Sequence, residues 1–165
     1  MVVLKELTIR PTTLEDAPFL VQWLQDQEIL RWFPMINQRE IEDAVRIWMT
    51  YQKLEAGLTA IWQGAPCGMA VLYIQPYKKL SHQCVFAIIV DKEYRNKGIG
   101  SVLLTQLMKH AKEKFHLEIL HLEVYSGNPA IHLYQRLGFK EFGYQSHFIK
   151  EKGEYLGKIF MQKYL

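Results

Sequence analysis

The spacing of apolar residues changes character several times along the chain, and each change marks an element. Leu4 to Arg10 alternates, with Lys5, Leu7 and Ile9 set against Leu4, Glu6 and Thr8, and reads as a first strand that Pro11 ends. Thr12 with Glu15, or Thr13 with Asp16, offers a helix N-cap. The helix that follows buries Phe19, Leu20, Trp23 and Leu24. After the bulky connector Ile29 to Pro34, a second helix starts at Asn37 or Gln38. It runs to about Ala56, with Ile41, Ala44, Val45, Trp48 and Met49 on one face and Gly57 as its stop.

Leu58 to Trp62 and Cys67 to Gln75, joined by Gln63-Gly64-Ala65-Pro66, read as a β-hairpin. Pro76 to Ser81 then turns the chain into Val85-Phe86-Ala87-Ile88-Ile89-Val90. This apolar run is rich in β-branched residues and expected to be a strand buried on both faces. A basic turn, Arg95-Asn96-Lys97-Gly98-Ile99-Gly100, opens a helix carried by Val102, Leu103, Leu107 and Ala111 and ending near Lys114-Phe115. Ile119 to Val124 is the next strand, and Pro129 to Arg136 a short helix stopped by Gly138. Phe142 to Ile149 and Tyr155 to Met161 form a closing hairpin around Glu151 to Glu154.

The order is therefore β, α, α, three strands, α, β, α, β, β. It predicts an α/β (α+β) fold: a mixed, mostly antiparallel central sheet of about seven strands flanked by helices. One right-handed βαβ crossover joins the Val85 strand to the Ile119 strand. The length, 165 residues, is that of one domain, 1–165, with no linker or internal repeat.

Composition removes several classes. A net charge of +3 suits an anionic ligand and is too small to argue for nucleic acid. The longest apolar run is far short of a membrane span, and Met1 to Glu6 lacks the basic start and apolar centre of a signal peptide. Cys67 and Cys84 have no metal spacing and are expected to be reduced thiols in a cytoplasmic protein. The scattered histidines give no metal site.

The turn after Val90 carries the chemistry. The first N–H groups of a helix have no partner within it, and the helix dipole makes that end partly positive. Gly98 and Gly100 allow close approach to the backbone, and Arg95 and Lys97 add cationic donors. Together they predict a phosphate or pyrophosphate site. The dipole contributes only about 0.3–1 kcal/mol, so the convergent N–H donors and the arginine must supply most of the binding. A Walker loop would need a lysine and Ser/Thr after its last glycine, and a Rossmann turn a third glycine. A plain strand-to-helix turn tightened by glycines is the bland reading.

Arg95-x-x-Gly98-x-Gly100 after an apolar strand resembles the acyl-coenzyme A loop of the GNAT N-acetyltransferases, and so does the approach Val90 to Tyr94. A second stretch resembles the same family: Asn128-Pro129-Ala130-Ile131-His132-Leu133-Tyr134, ending at Gly138-Phe139. Asn128 stands one residue nearer to Ala130 than the family pattern has it. Read without the resemblance, Asn128 is an N-cap with Pro129 at the first helical position, and Tyr134 is a core aromatic.

The resemblance implies acetyl transfer from acetyl-CoA to a primary amine (small amine, polyamine or protein amino group) by direct attack in a ternary complex. It implies cofactor contacts from Ile88, Ile89, Val90, Arg95, Asn96, Lys97, Gly98, Ile99, Gly100, Ser101, Asn128 and Tyr134, and a general-acid role for the Tyr134 hydroxyl. The strand Phe86 to Val90 would splay from its neighbour so that pantetheine pairs like an extra strand. Some relatives carry a glutamate base on that strand; here Ser81 to Val90 has none, which leaves Glu123, His82 and Tyr125, and the expected route is a water-relayed proton with Glu123 or His82 nearby. Trp32-Phe33-Pro34 is the expected substrate wall, and Glu28, Glu40, Glu42 and Asp43 either attract a cationic amine or form a solvated face.

Two other functions fit fewer residues. A silent acyl-CoA-binding module would not need Tyr134, and an interaction domain would use Lys109, Lys112 and Lys114, which lie at helical spacing. The sequence leaves a homodimer open.

Overall fold

The computed structural model describes residues 4–165, so part of the Met1–Glu6 signal-peptide reading lies outside the described residues. Seven strands form one sheet in the order β1-β2-β3-β4-β5-β7-β6. They are β1 (Leu7–Pro11), β2 (Gly57–Trp62), β3 (Ala65–Leu72), β4 (Gln83–Val90), β5 (Ile119–Tyr125), β6 (Lys140–Glu151) and β7 (Glu154–Tyr164). Every neighbouring pair is antiparallel except β4–β5, which is parallel. The mixed, mostly antiparallel sheet expected from the element order is observed.

Among the described residues five α-helices cover the two faces: α1 (Ala17–Leu24), α2 (Gln27–Leu30), α3 (Gln38–Thr50), α4 (Ile99–Phe115) and α5 (Ile131–Arg136). Alternation along β3 shows why both faces need cover. Ala70 and Leu72 pack with Leu103, Leu104 and Leu107 of α4, while Met69 and Val71 pack with Leu20, Trp23, Trp48 and Met49 from α1 and α3.

Several boundaries differ from the sequence reading. The expected connector from Ile29 begins inside a helix: the Asp26 carboxylate accepts the Glu28 N–H and starts α2, which takes in Ile29 and Leu30. The second ends at Thr50, followed by a 3₁₀ turn, and Glu55 takes a left-handed φ of 53°. Gly57 is thus not a helix stop but the first residue of β2. A Cβ there would meet Thr12 Oγ1 at 3.0 Å, and the Gly57 carbonyl accepts the Thr12 N–H at 3.0 Å. β3 stops at Leu72 rather than Gln75, and α5 begins at Ile131 rather than Pro129.

A buried carboxylate fastens the N-terminal helices to the sheet. Asp16, 1% exposed, accepts two bonds of 2.7 Å from the Arg10 guanidinium, one from the Thr13 N–H and one from the Thr59 hydroxyl. Such bidentate charge-assisted bonds offset the cost of burying a carboxylate.

Candidate active site

The parallel pair β4–β5 splits part-way along. Its register runs Gln83↔Ile119, Cys84↔Leu120, Val85↔His121 and ends there. β4 continues to Val90 still bonded to β3, and β5 continues to Tyr125 bonded to β7. The edge of Phe86 to Val90 that faces β5 is therefore unpaired, as the splay expected for this strand requires. Phe86, where the strands part, packs against Tyr134 and Phe139, with ring centroids 5.5–6.3 Å apart. β4 is consequently not buried on both faces throughout: Cys84, Phe86 and Ile89 are buried, but Ala87, Ile88 and Val90 are half-buried because they border a cleft.

That cleft, about 530 Å³, lies in the fork. At its mouth Asp91 accepts the Glu93 N–H and starts a 3₁₀ turn over Lys92–Tyr94. Asn96 then takes a φ of 59° and Gly98, the N-cap of α4, a φ of 82°. A glycine N-cap has no side chain to satisfy the helix end. The first helical bond is Val102 N–H to Gly98 O, so the N–H groups of Ile99, Gly100 and Ser101 precede the intrahelical ladder. Those three residues, with Arg95, Asn96 and Gly98, line the cleft. The arrangement suits a diphosphate, and the unpaired edge of β4 suits an amide-bearing arm such as pantetheine.

The other expected residues divide. Ile88, Ile89, Val90, Asn128, Tyr134 and Glu123 all border this cleft. Lys97 does not: its Nζ bonds the Glu93 carbonyl at 3.1 Å. At Gly100 a Cβ would meet Leu133 Cδ2 at 3.2 Å, a tight contact with α5. Asn128 is not a helix N-cap; its Oδ1 accepts the Ala130 N–H at 3.0 Å in the turn before α5. His82 is exposed at the opposite end of β4 and does not border this cleft, so the structure does not bring it to the site.

Tyr134 is 8% exposed, and burial pushes its phenol well above the ordinary tyrosine value. Glu123 borders a second cleft of about 430 Å³ as well, so it stands where the two meet, with Trp32, Phe33, Phe86 and Ala87. The expected wall Trp32-Phe33-Pro34 lines this second cleft, whereas Glu28, Glu40, Glu42 and Asp43 line neither and form a solvated face.

Sequence reasoning missed Lys158. It sits on β7, buried, with Nζ 2.7 Å from Glu123 Oε2 and 3.5 Å above the Phe148 ring. The available signal was its parity with Phe160 on the closing strand. It also missed Tyr73, which lines the second cleft and is pushed up to about 12 by burial beside Tyr51. Tyr125, raised to about 12 by burial and by Glu123, is a poor base at neutral pH. His121, two residues before Glu123, is held below the usual histidine value by burial and bonds Gln83 Oε1 through Nε2 at 2.5 Å. Burial raises both thiols, Cys67 to about 11 and Cys84 to about 12, which makes them inert. Among the described residues no cluster of metal ligands is present and no helix is long and apolar enough to cross a membrane.

The seven-stranded sheet with its flanking helices is the fold of a solved acetyltransferase of the GNAT family. The sequence profile of the Acetyltransferase (GNAT) family matches residues 15–139, and the chain belongs to that family.

An acetyltransferase of the GNAT family from Streptococcus pneumoniae superposes with a TM-score of 0.78 at 26% identity, over 97% of this chain and 100% of that one. YncA from Salmonella typhimurium, solved with acetyl-CoA, gives 0.81 at 21% identity over 97% and 94%. The latter shows likeness of fold alone. Among curated proteins, the L-amino acid N-acetyltransferase AaaT of Escherichia coli K12 is 27% identical over 64% of this chain and 66% of its own length. An N-alpha-acetyltransferase of Sulfurisphaera tokodaii is 46% identical over 39% of each. The chain thus spans from about two fifths to just under two thirds of these relatives.

Proposed function

We propose that the protein transfers the acetyl group of acetyl-CoA to a primary amine by direct attack in a ternary complex. The fork between β4 and β5, ending at the open N-terminus of α4 beside Arg95, carries this reading. Backbone groups of Phe86 to Val90 hold the pantetheine arm, and one of their N–H groups stabilises the oxyanion. The second cleft, joined to the first at Glu123, gives the amine its own approach; a silent acyl-CoA-binding module would have no use for it.

The acceptor must lose a proton before attack. An alkyl amine of pKa about 10.4 is roughly 1 part in 2,500 neutral at pH 7, a deficit of about 4.6 kcal/mol. Glu123, at the junction of the clefts, accepts that proton directly or through water. Tyr134 donates to the departing sulfur. Full transfer from a phenol of ordinary pKa to a thiolate is uphill by roughly 2 kcal/mol, and burial of Tyr134 makes it more so. The phenol therefore acts as a hydrogen-bond donor while the C–S bond breaks, and the proton moves late.

The test is release of free coenzyme A thiol from acetyl-CoA across a panel of amines, beside thermal unfolding with and without acetyl-CoA. At a hundredfold excess over Kd the ligand stabilises by about 2.7 kcal/mol, which raises Tm by roughly 5–10 °C. Absence of thiol release overturns the proposal, and stabilisation without release points to the silent acyl-CoA-binding module instead.

A further inference from the structure

The second cleft has a composition that selects among amines. Its walls are apolar and aromatic, with Trp32, Phe33, Trp48, Tyr73, Phe86 and Phe148 among the contributors. Its ionic groups are two, Glu123 and Lys158, of opposite sign and in contact at 2.7 Å. A polyamine would lay its second and third ammonium groups against indole and alkyl walls with no carboxylate to receive them. A zwitterion brings no net charge into this pocket and meets both signs there.

We propose that this cleft binds a free α-amino acid with a bulky apolar side chain, its amine at Glu123, its carboxylate at Lys158 and its side chain among the aromatic walls. The inference rests on the acetyl-transfer reading above and narrows its acceptor. Three geometric facts support the orientation. Glu123 borders both clefts, so an amine beside it faces the fork where the thioester lies. The amine and carboxylate of an α-amino acid are separated by one carbon, which matches two protein charges in direct contact. A lysine ammonium has three N–H donors; Lys158 spends one on Glu123 and turns toward the Phe148 ring, which leaves capacity for a substrate carboxylate.

The experiment compares kcat/KM for L-phenylalanine, L-leucine, 2-phenylethylamine, spermidine and a phenylalanyl peptide, in the wild type and in Lys158→Met. L-Phenylalanine is expected to exceed 2-phenylethylamine by about tenfold or more, the usual weight of a charge-assisted contact, and to exceed spermidine by a wider margin. Lys158→Met should raise KM for L-phenylalanine about tenfold more than KM for 2-phenylethylamine, since any change it makes to Glu123 is common to both amines. Lys158→Arg should recover part of the loss.

Equal turnover of 2-phenylethylamine and L-phenylalanine overturns the proposal, as does preference for spermidine or the peptide. Equal losses for both small amines in Lys158→Met reduce the lysine to a structural part and also overturn it. If Lys158→Met does not fold, the wild-type comparison decides alone. If no amine releases thiol, the acetyl-transfer reading falls; titration of L-phenylalanine into the protein saturated with coenzyme A then tests the cleft by itself, and lack of binding ends the proposal.

Discussion

Lys158 reaches Glu123 across a diagonal of the β5–β7 ladder. Its own register partner is Tyr125, and Phe160 stands opposite Glu123, yet Nζ lies 2.7 Å from Oε2. The pair is lopsided in its access to water. The lysine side chain is 10% exposed, inside the sheet face, while the glutamate is 42% exposed, at the cleft junction.

That asymmetry predicts unequal costs of breaking the pair. Glu123→Leu strands an ammonium among aromatic rings. Full burial would cost about 3–5 kcal/mol, and access through the cleft reduces this to about 1–3 kcal/mol. Lys158→Met leaves a carboxylate that water already reaches, so its cost is about 1 kcal/mol or less. Urea unfolding of the two variants at pH 7 measures both. A larger loss for Lys158→Met would show that the lysine is held by packing rather than by charge.

Tyr134→Phe tests the donor role separately from binding. Tyr134 borders the cleft, and burial raises its pKa, so the phenol stays protonated above the ordinary tyrosine value of 10.0. The wild-type rate should therefore show no falling limb from this group as pH rises to about 10. The variant should lose about ten- to a thousandfold in kcat with coenzyme A affinity within about threefold, because the hydroxyl contributes to the transition state and little to the resting complex. Stopped-flow thiol release and coenzyme A titration give the two numbers. Equal losses in both would mean that the ring only packs against Phe86 and Phe139.

The fold was legible in the sequence because its signals are local. Alternation, apolar runs and the glycines of the Arg95–Gly100 turn each specify their own element, and the β4–α4–β5 crossover follows from their order. The cofactor side was legible for the same reason: a helix N-terminus after a buried strand is contiguous in the chain. The acceptor side was not. Lys158 and Glu123 are 35 residues apart and meet through strand register, which one sequence does not reveal. His82 was a candidate as a histidine at the start of the central strand, and strand direction puts that start at the far end from the open helix terminus. Gly57 misled because a stop after a helix and a close approach to Thr12 both ask for glycine.

The phosphate-binding turn yields a paired prediction. Arg95→Ala should raise KM for acetyl-CoA about tenfold with kcat changed less than twofold, since a charge-assisted contact to phosphate is the same in ground and transition states. The ratio between wild type and variant should shrink as salt rises. Gly98→Ala acts on the backbone instead: a φ of 82° forces alanine into the left-handed region at a cost of about 1–2 kcal/mol. It should lower Tm in the absence of ligand, whereas Arg95→Ala should not. Steady-state kinetics at two ionic strengths and thermal unfolding of both variants separate the contributions.

Asp16 makes the stability of the fold sensitive to acid. Burial alone would raise its carboxyl pKa, but the Arg10 guanidinium, the Thr13 N–H and the Thr59 hydroxyl together overcome that and hold it below the ordinary 3.8. A group with a lowered folded pKa binds its proton more readily in the unfolded chain. Its contribution to stability is therefore complete above the ordinary carboxylate value and is lost as pH falls below 3.8 through the folded value. Asp16→Asn removes the titrating group and weakens both bonds from Arg10, whose guanidinium remains partly solvated. The expected cost is about 1–3 kcal/mol at pH 7, shrinking as pH falls toward 3. Urea midpoints of wild type and variant between pH 3 and 7 should converge at the acid end. Parallel curves would mean that Asp16 has the same proton affinity in the folded and unfolded chain, and that its bonds to Arg10, Thr13 and Thr59 do no more than cancel the cost of burying it.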